Sequence, residues 1–260
     1  MTLVSQAFIF GFGAVIGSFL NAVLWRLRTR ESFIFGRSYC PHCRHELAAM
    51  DLVPIFSYIL LGGRCRYCRK PICPSYLVIE TFAGILFLLA ALNLGGLSGE
   101  FDGLLLPRLL LDWYLIAVFM LVFVYDLRYM LILPSVTLSA AAVAFVGNAA
   151  LGYGWFSLLS GAALTAGFFY LQLALSRGRW IGGCDVYLGL LMGAALGWQS
   201  ALLALFLAYV SGAFVGVALI ASGRKNLKSQ LPFGTFLSAA AVVSLLYGER
   251  ILAWYFGLML

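Results

Sequence analysis

Charge is what this sequence of 260 residues has least of: Asp, Glu, Lys and Arg make up 10% of it, against 63% hydrophobic residues. An ordinary soluble domain carries about 25% charged and about 45–50% apolar residues, so that class is excluded. Acid is rarer still, with ten Asp and Glu in all. No Lys or Arg precedes Arg26, so the first apolar run lacks the basic n-region of a cleaved signal peptide and reads as a retained membrane helix. Sizeable polar stretches are also missing, except for one between Arg26 and Ser75.

The rest is long apolar runs, and a helix of roughly 20 such residues crosses a ~30 Å hydrocarbon core. Reading Gly, Pro and charge clusters as turns predicts an all-α integral membrane protein of about eight transmembrane helices. They fall at 4–26, 76–95, 106–125, 133–151, 156–176, 184–198, 201–221 and 232–248. The domain reading is transmembrane helix 1 over 1–26, a cytosolic four-cysteine domain over 27–75, and a seven-helix membrane domain over 76–260. Basic residues gather at Arg26/Arg28/Arg30, Arg37, Arg44, Arg64/Arg66/Arg69/Lys70, Arg128, Arg177/Arg179 and Arg224/Lys225/Lys228. The alternate connections are acidic, as in GGLSGEFDG (95–103), or neutral, as in LGYGW and GWQS. Lys and Arg accumulate in short cytoplasmic loops, which places these loops inside and both termini outside. The net charge of +7 is therefore a topology signal. It points to the lipid bilayer as partner and away from nucleic acid.

The polar insert contains C-P-H-C (40–43) and C-R-Y-C (65–68), separated by 21 residues. Two C-x2-C knuckles wrap one tetrahedral ion with four thiolates, so Cys40, Cys43, Cys65 and Cys68 are the expected ligands of a structural zinc. Cytosolic thiols stay reduced, which disfavours disulfides. His42 and His45 are read as exposed, and Cys73 as a small structural residue. A four-thiolate zinc has no open position, so the chemistry must lie elsewhere.

Sorting the ten acids leaves two. Glu31, Glu46 and Asp51 belong to the insert; Glu100, Asp102 and Glu249 lie at outside ends; Asp112 lies near the outside end of the third span, within reach of water; Glu80 begins the second span. Asp126 closes LIAVFMLVFVYD and Asp185 opens the sixth span, so the predicted topology brings both to the cytosolic edge of the bilayer. Ionisable groups at membrane depth are costly and default to functional candidates. Each also has a plainer reading. Asp185 after Gly182 and Gly183 caps a helix N-terminus, and Asp126 pairs with Arg128. Two close carboxylates share one proton, and such a pair drives general acid–base hydrolysis of a peptide bond. Asp126 and Asp185 are the expected catalytic pair, with the glycines admitting a substrate backbone. Pro134 starts the fourth helix, which makes Arg128–Leu133 a non-helical link.

With these motifs in place, the chain resembles the bacterial type IV prepilin leader peptidases of the GxGD class. GSFLNAVLWRL (17–27), DLVPIFS (51–57), GGRCRYC (62–68), KPICPSYLVIE (70–80), YDLRYMLILP (125–134), GGCDVYLGLLMG (182–193) and LPFGTFLS (231–238) follow the family's motifs in order. The resemblance implies an integral aspartic protease of the bacterial inner membrane that cuts basic leaders from prepilins or pseudopilins, as in type IV pilus and type II secretion systems. It also implies N-methylation of the new N-terminal residue with S-adenosylmethionine. By the motifs, the proteolytic pair falls on Asp126 and Asp185 and the tetracysteine on Cys40, Cys43, Cys65 and Cys68. Cys184, Tyr187 and Ser135 depart from the usual Gly, Lys and Asp or Asn. The basic inner face leaves recognition of a basic leader to local acids such as Glu80 or the dyad. Two readings stand beside this one: a non-enzymatic scaffold that docks a partner on the zinc knuckle, and a transporter using the two Asp residues. Gly17 and Ser18 read as close-packing residues between helices. No oligomeric state is read from the sequence.

Overall fold

The computed structural model describes residues 2–29, 31–32, 36–94, 103–223 and 230–257. The expected charges at Arg30, Glu100, Asp102, Arg224, Lys225 and Lys228 lie outside the described residues. Among the described residues the chain is helical, with two isolated β-bridges, Tyr39–Glu46 and Arg64–Pro71. The helices are α1 (Leu3–Thr29), α2 (Phe56–Leu60), α3 (Ser75–Asn93), α4 (Leu105–Tyr129), α5 (Pro134–Ala150), α6 (Trp155–Ser176), α7 (Gly183–Ala221) and α8 (Phe233–Gly257). Six of them, α1, α3, α4, α6, α7 and α8, are long and apolar enough to cross a membrane, and α5 is a shorter apolar helix. This is a multi-pass membrane protein. It divides into two compact units, residues 1–101 and 102–260, so α3 falls with α1 rather than with the later helices.

In the first unit α1 and α3 pack backbone to backbone. A Cβ on Gly17 would meet Glu80 Cα at 2.8 Å, and one on Gly13 would meet the Ala83 carbonyl oxygen at 2.8 Å. In lipid no hydrophobic drive brings helices together, and small residues that permit close approach take its place. Gly17 is thus a packing residue, while the Ser18 hydroxyl hydrogen-bonds the Glu80 carboxylate. Asn21 is buried and donates from Nδ2 to the Tyr76 carbonyl at 3.4 Å. Arg26 does more than mark topology. It is buried and donates to the carbonyls of Ser32 (3.2 Å), Gly36 (3.1 Å) and Arg37 (3.2 Å), folding the start of the insert onto the end of α1.

The second unit is organised by α7. Its 39 residues would reach about 58 Å as one rod, nearly twice a hydrocarbon core. The rod breaks at Gly197, with φ 72° and ψ 172°, a conformation open to glycine. Contacts with α6 show that the chain reverses there. Gly161 lies against Gly193 and Gly197, and Phe169 against Gly189. Farther along, Tyr209 returns to Phe168 (5.8 Å between rings) and Gln172 (2.9 Å). Residues 189 and 209 therefore lie at one level of α6, on opposite sides of the break. The expected spans 184–198 and 201–221 correspond to these two arms, but a single residue separates them and Trp198 and Gln199 are helical.

Breaking a helix frees carbonyls that lipid cannot satisfy. In an unbroken helix the carbonyls of Ala194 and Ala195 would accept from residues 198 and 199. Here both accept from Asn148 Nδ2, at 3.2 and 3.0 Å. Asn148 is fully buried, and its Oδ1 accepts from Arg108 Nη1 at 2.9 Å. Arg108 pairs with Asp112 at 3.3 Å and lies 4.7 Å over the Tyr153 ring, whose hydroxyl donates to Glu249 Oε1 at 3.2 Å. Asp112 is consequently buried and ion-paired, not a water-exposed end residue. The break itself is sealed by close packing. A Cβ on Gly193 would overlap Gly161 and Ala162, and the Thr165 hydroxyl donates to the Gly189 carbonyl at 2.6 Å. The spacing Gly189, Gly193, Gly197 is the small-residue periodicity of such contacts.

Two boundaries differ from the sequence reading. α4 stays helical through Arg128 to Tyr129, so the non-helical link is 130–133, with Met130 left-handed at φ 51° and Pro134 opening α5. α8 runs through Glu249 and Arg250 to Gly257 rather than ending at 248. Gly193→Ala should lower stability by about 1–3 kcal/mol through overpacking. Gly167→Ala, where a Cβ meets nothing within 4 Å, should leave it unchanged. Thermal unfolding of the detergent-solubilised protein compares the two.

Candidate active site and metal centre

Asp126 sits in the last turn of α4 and is 4% exposed. Its Oδ2 accepts from the Thr235 backbone N–H at 2.7 Å and from the Thr235 hydroxyl at 3.1 Å. Thr235 is the third residue of α8, where amides have no partner within the helix and favour an anion. The approach is close enough to require Gly234. A Cβ there would meet Ile132 Cδ1 at 2.8 Å and Asp126 Oδ2 at 3.0 Å. This clasp on α8 is what holds the Asp126 carboxylate.

Asp185 is the third residue of α7 and is 7% exposed. Its Oδ2 accepts from the Gly182 N–H at 3.0 Å, and its own N–H donates to the Gly182 carbonyl at 3.1 Å. The capping role expected of it is present. The same carboxylate also lies within electrostatic reach of Asp126. The two carboxylates, 59 positions apart in the chain, thus lie in one unit within electrostatic reach of each other, each with Oδ2 held by an amide at a helix start and Oδ1 outside those bonds. Around Gly182 and Gly183 there is room. A Cβ at either would find its nearest atom at 3.6 or 4.0 Å, so packing alone does not demand glycine. Cys184 is half-buried and Tyr187 exposed beside it.

Three neighbours of the pair went unread in the sequence. Gly234 and Thr235 belong to LPFGTFLS, which carried no chemistry until the fold laid it on Asp126. Tyr209, on the returning arm of α7, lies within electrostatic reach of Asp185, packs its ring tilted against Phe233 at 4.9 Å and bonds Gln172. Nothing local marks it, because only the reversal at Gly197 carries it there. Glu80 does not offer an exposed acid to a basic leader. It is buried, with Oε2 accepting from the Ile55 N–H at 2.8 Å.

In the first unit the sulfurs of Cys40, Cys43, Cys65 and Cys68 all lie within 4.8 Å of one another, and Cys40 and Cys68 are 3.9 Å apart. A tetrahedral ion with four bonds of about 2.3 Å requires about 3.8 Å between sulfurs, so the donor set fits such an ion. Both knuckles use one turn. The N–H of Arg44 donates to Cys40 O and that of Arg69 to Cys65 O, while Cys40 N–H donates to His45 O and Cys65 N–H to Lys70 O. Arg44 and Arg69 share a left-handed φ of 60° and 59°. Burial opposes ionisation of Cys40, but the amides of Cys43 and His42 pull its thiol down to about 7, toward the thiolate a metal needs. His42, His45 and Cys73 stand apart from the cluster, and His45 stacks on Tyr67 at 3.6 Å. Asp51 braces the second knuckle by accepting from Arg66 at 2.6 Å and from the Tyr67 hydroxyl at 3.2 Å.

A four-cysteine unit followed by a membrane unit with two buried Asp residues at helix ends defines a class, and comparison with known proteins gives it a family. Residues 11–94 match the bacterial peptidase A24 N-terminal domain, and residues 113–217 the type IV leader peptidase family. The prepilin leader peptidase/N-methyltransferase of Aeromonas hydrophila is 30% identical over 276 residues, covering 95% of this chain and 92% of its own. The protein of that name from Burkholderia pseudomallei (strain 1026b) is 33% identical over 93% of this chain and 85% of its own. That from Bacillus subtilis (strain 168) is 31% identical over 95% and 96%. No solved structure matches. The chain belongs to the type IV leader peptidase family and is a membrane peptidase.

The cluster predicts a clean contrast. Cys65→Ser should strip bound metal and loosen the insert, whereas Cys73→Ser should keep both, as read by elemental analysis and limited proteolysis of the purified protein.

Proposed function

We propose that this protein cleaves the basic leader peptide from type IV prepilins or pseudopilins at the cytosolic membrane face by aspartic-protease chemistry, and then N-methylates the new N-terminal residue. The reading rests on two buried carboxylates of one unit, Asp126 and Asp185, each held through Oδ2 at a helix start and within electrostatic reach of each other, in a chain of this family. One carboxylate, ionised, takes a proton from water as that water attacks the peptide carbonyl. The other, protonated, donates to the carbonyl oxygen, and the proton returns to the leaving amine when the C–N bond breaks. The Oδ2 bonds from Thr235 and Gly182 hold both carboxylates in place while the remaining oxygens do this work. The room beside Gly182 and Gly183 is where an extended substrate backbone lies across Asp185.

The reversal at Gly197 supports a count of eight crossings, with α5 and the first arm of α7 as short ones. Basic loops orient these crossings with the four-cysteine domain and the Asp pair inside the cell. Zinc is the ion proposed for Cys40, Cys43, Cys65 and Cys68. A four-thiolate shell is closed, so it crosslinks an insert too small to rely on its own core and takes no part in hydrolysis. The methyl group comes from S-adenosylmethionine. The N-methyltransferase in the relatives' names supports this second activity. The same names weigh against a docking scaffold or an Asp-dependent transporter.

Asp126→Asn and Asp185→Asn should each reduce leader cleavage by at least about 10²–10⁴-fold, the usual worth of a general acid or base. Mass spectrometry of a prepilin incubated with the protein, with and without S-adenosylmethionine, reads the cut and the added methyl together. Cleavage undiminished in either variant would remove the pair from the reaction.

A further inference from the structure

The four-cysteine insert carries an apolar surface that its metal cluster does not use. Phe56, Ile59 and Leu60 of α2, and Val53 just before it, are all exposed, Phe56 at 67%, Ile59 at 63% and Leu60 at 83%. Such a patch on a polar insert marks an interaction surface. Three observations say what covers it.

The first is depth. Ile55, at the head of this segment, is pinned by its N–H to Glu80 of α3. Glu80 Cα in turn lies against Gly17 of α1. Gly17 precedes Trp25 by eight residues, about 12 Å along the helix axis. Trp25 is partly exposed and followed by Arg26 and Arg28, the pattern of a membrane–water boundary. A Glu side chain leans back toward its helix start and recovers only part of that distance. The patch therefore hangs below the level of Trp25, at the border of headgroups and acyl chains.

The second is the backbone. The Pro54–Ile55–Phe56 turn closes with Phe56 N–H on Pro54 O at 2.6 Å, and Ile55 has φ 64°. Positive φ at a β-branched residue is strained and persists only where surroundings enforce it, here the Glu80 bond. Onward, the N–H groups of Ser57, Ile59, Leu61, Gly62 and Gly63 donate to carbonyls within the segment, and Pro54 has no N–H. Irregular backbone whose donors are met internally can enter a lipid interface. The third is charge. Arg64 and Arg69, exposed just beyond the patch, suit anionic headgroups.

We propose that residues 53–60 form an in-plane anchor, inserting Phe56, Ile59 and Leu60 into the lipid interface and holding the four-cysteine domain against the membrane. The proposal rests on α1 and α3 crossing the bilayer and is independent of the peptidase reading. The full-length protein, reconstituted in phosphatidylethanolamine–phosphatidylglycerol vesicles, is tested with a nitroxide-bearing amino acid in place of Leu60, of Ile59, or of Lys70 as the water-facing reference. Collision rates with oxygen and with a water-soluble nickel chelate are read by electron paramagnetic resonance, and leader cleavage is assayed on the same samples. At 59 and 60 the nickel collision rate should be several-fold lower than at 70, with oxygen collisions higher. Equal nickel access at all three sites overturns the anchor. So does exclusion of both reagents at 59 and 60, which means the patch is covered by protein. Nickel exclusion that develops only on adding a prepilin also overturns it, in favour of a peptide-docking surface. Absence of cleavage in every sample, the Lys70 reference included, with the lipid signature intact counts against the peptidase reading alone.

Discussion

Lipid offers no hydrogen bonds, so a helix that breaks or begins in an apolar setting must find partners for its backbone within the protein. The break at Gly197 frees two carbonyls, and Asn148 takes both. The strained turn at Ile55 exposes an amide, and Glu80 takes it. The start of α8 leaves an amide without a helical partner, and Asp126 takes it. In each case a polar side chain from a neighbouring helix completes what the backbone gave up, so each irregularity also fixes how two helices meet.

Asp126 and Asp185 follow the same rule. Each satisfies a helix start through one oxygen, Thr235 of α8 for the first and Gly182 before α7 for the second. Structural reasons for an acid therefore exist at both positions, and at Asp185 that reason is a helix cap. Holding one oxygen of each carboxylate on a rigid helix end is also a way to present the other, since the side chain loses its freedom to turn away. The clasp needs Gly234, because any larger residue would push Ile132 or Asp126 aside.

The polar chain Asp112–Arg108–Asn148 does comparable work at the reversal of α7. A buried Arg–Asp pair is costly in an apolar setting. Here the Arg108 guanidinium is also bonded to Asn148 and lies over Tyr153, so its charge is met on several sides. This arrangement holds the amide that keeps the helix broken, and the break carries Tyr209 back beside Phe233 and Gln172.

Much of this was legible from residue order alone. Long apolar runs set the helices, the paired C-x2-C knuckles named the four sulfurs that converge, and scarcity of acid singled out Asp126 and Asp185. These are local signals, carried by composition or short spacing. The reversal at Gly197 was readable only in part. The two arms were expected, but a one-residue turn between them was not, since it depends on Asn148 47 residues before Ala195. Asp112 was misplaced in water for a like reason: its partner Arg108 sits one turn away, yet burial of the pair follows from how α4 packs. Thr235, Tyr209 and the Glu80–Ile55 bond lie beyond local signals altogether. By itself the sequence determined which residues could do chemistry and which could cross lipid. Tertiary structure alone decided which of them meet, because a hydrogen bond or a shared charge depends on a few ångströms in space and chain separation does not encode that distance.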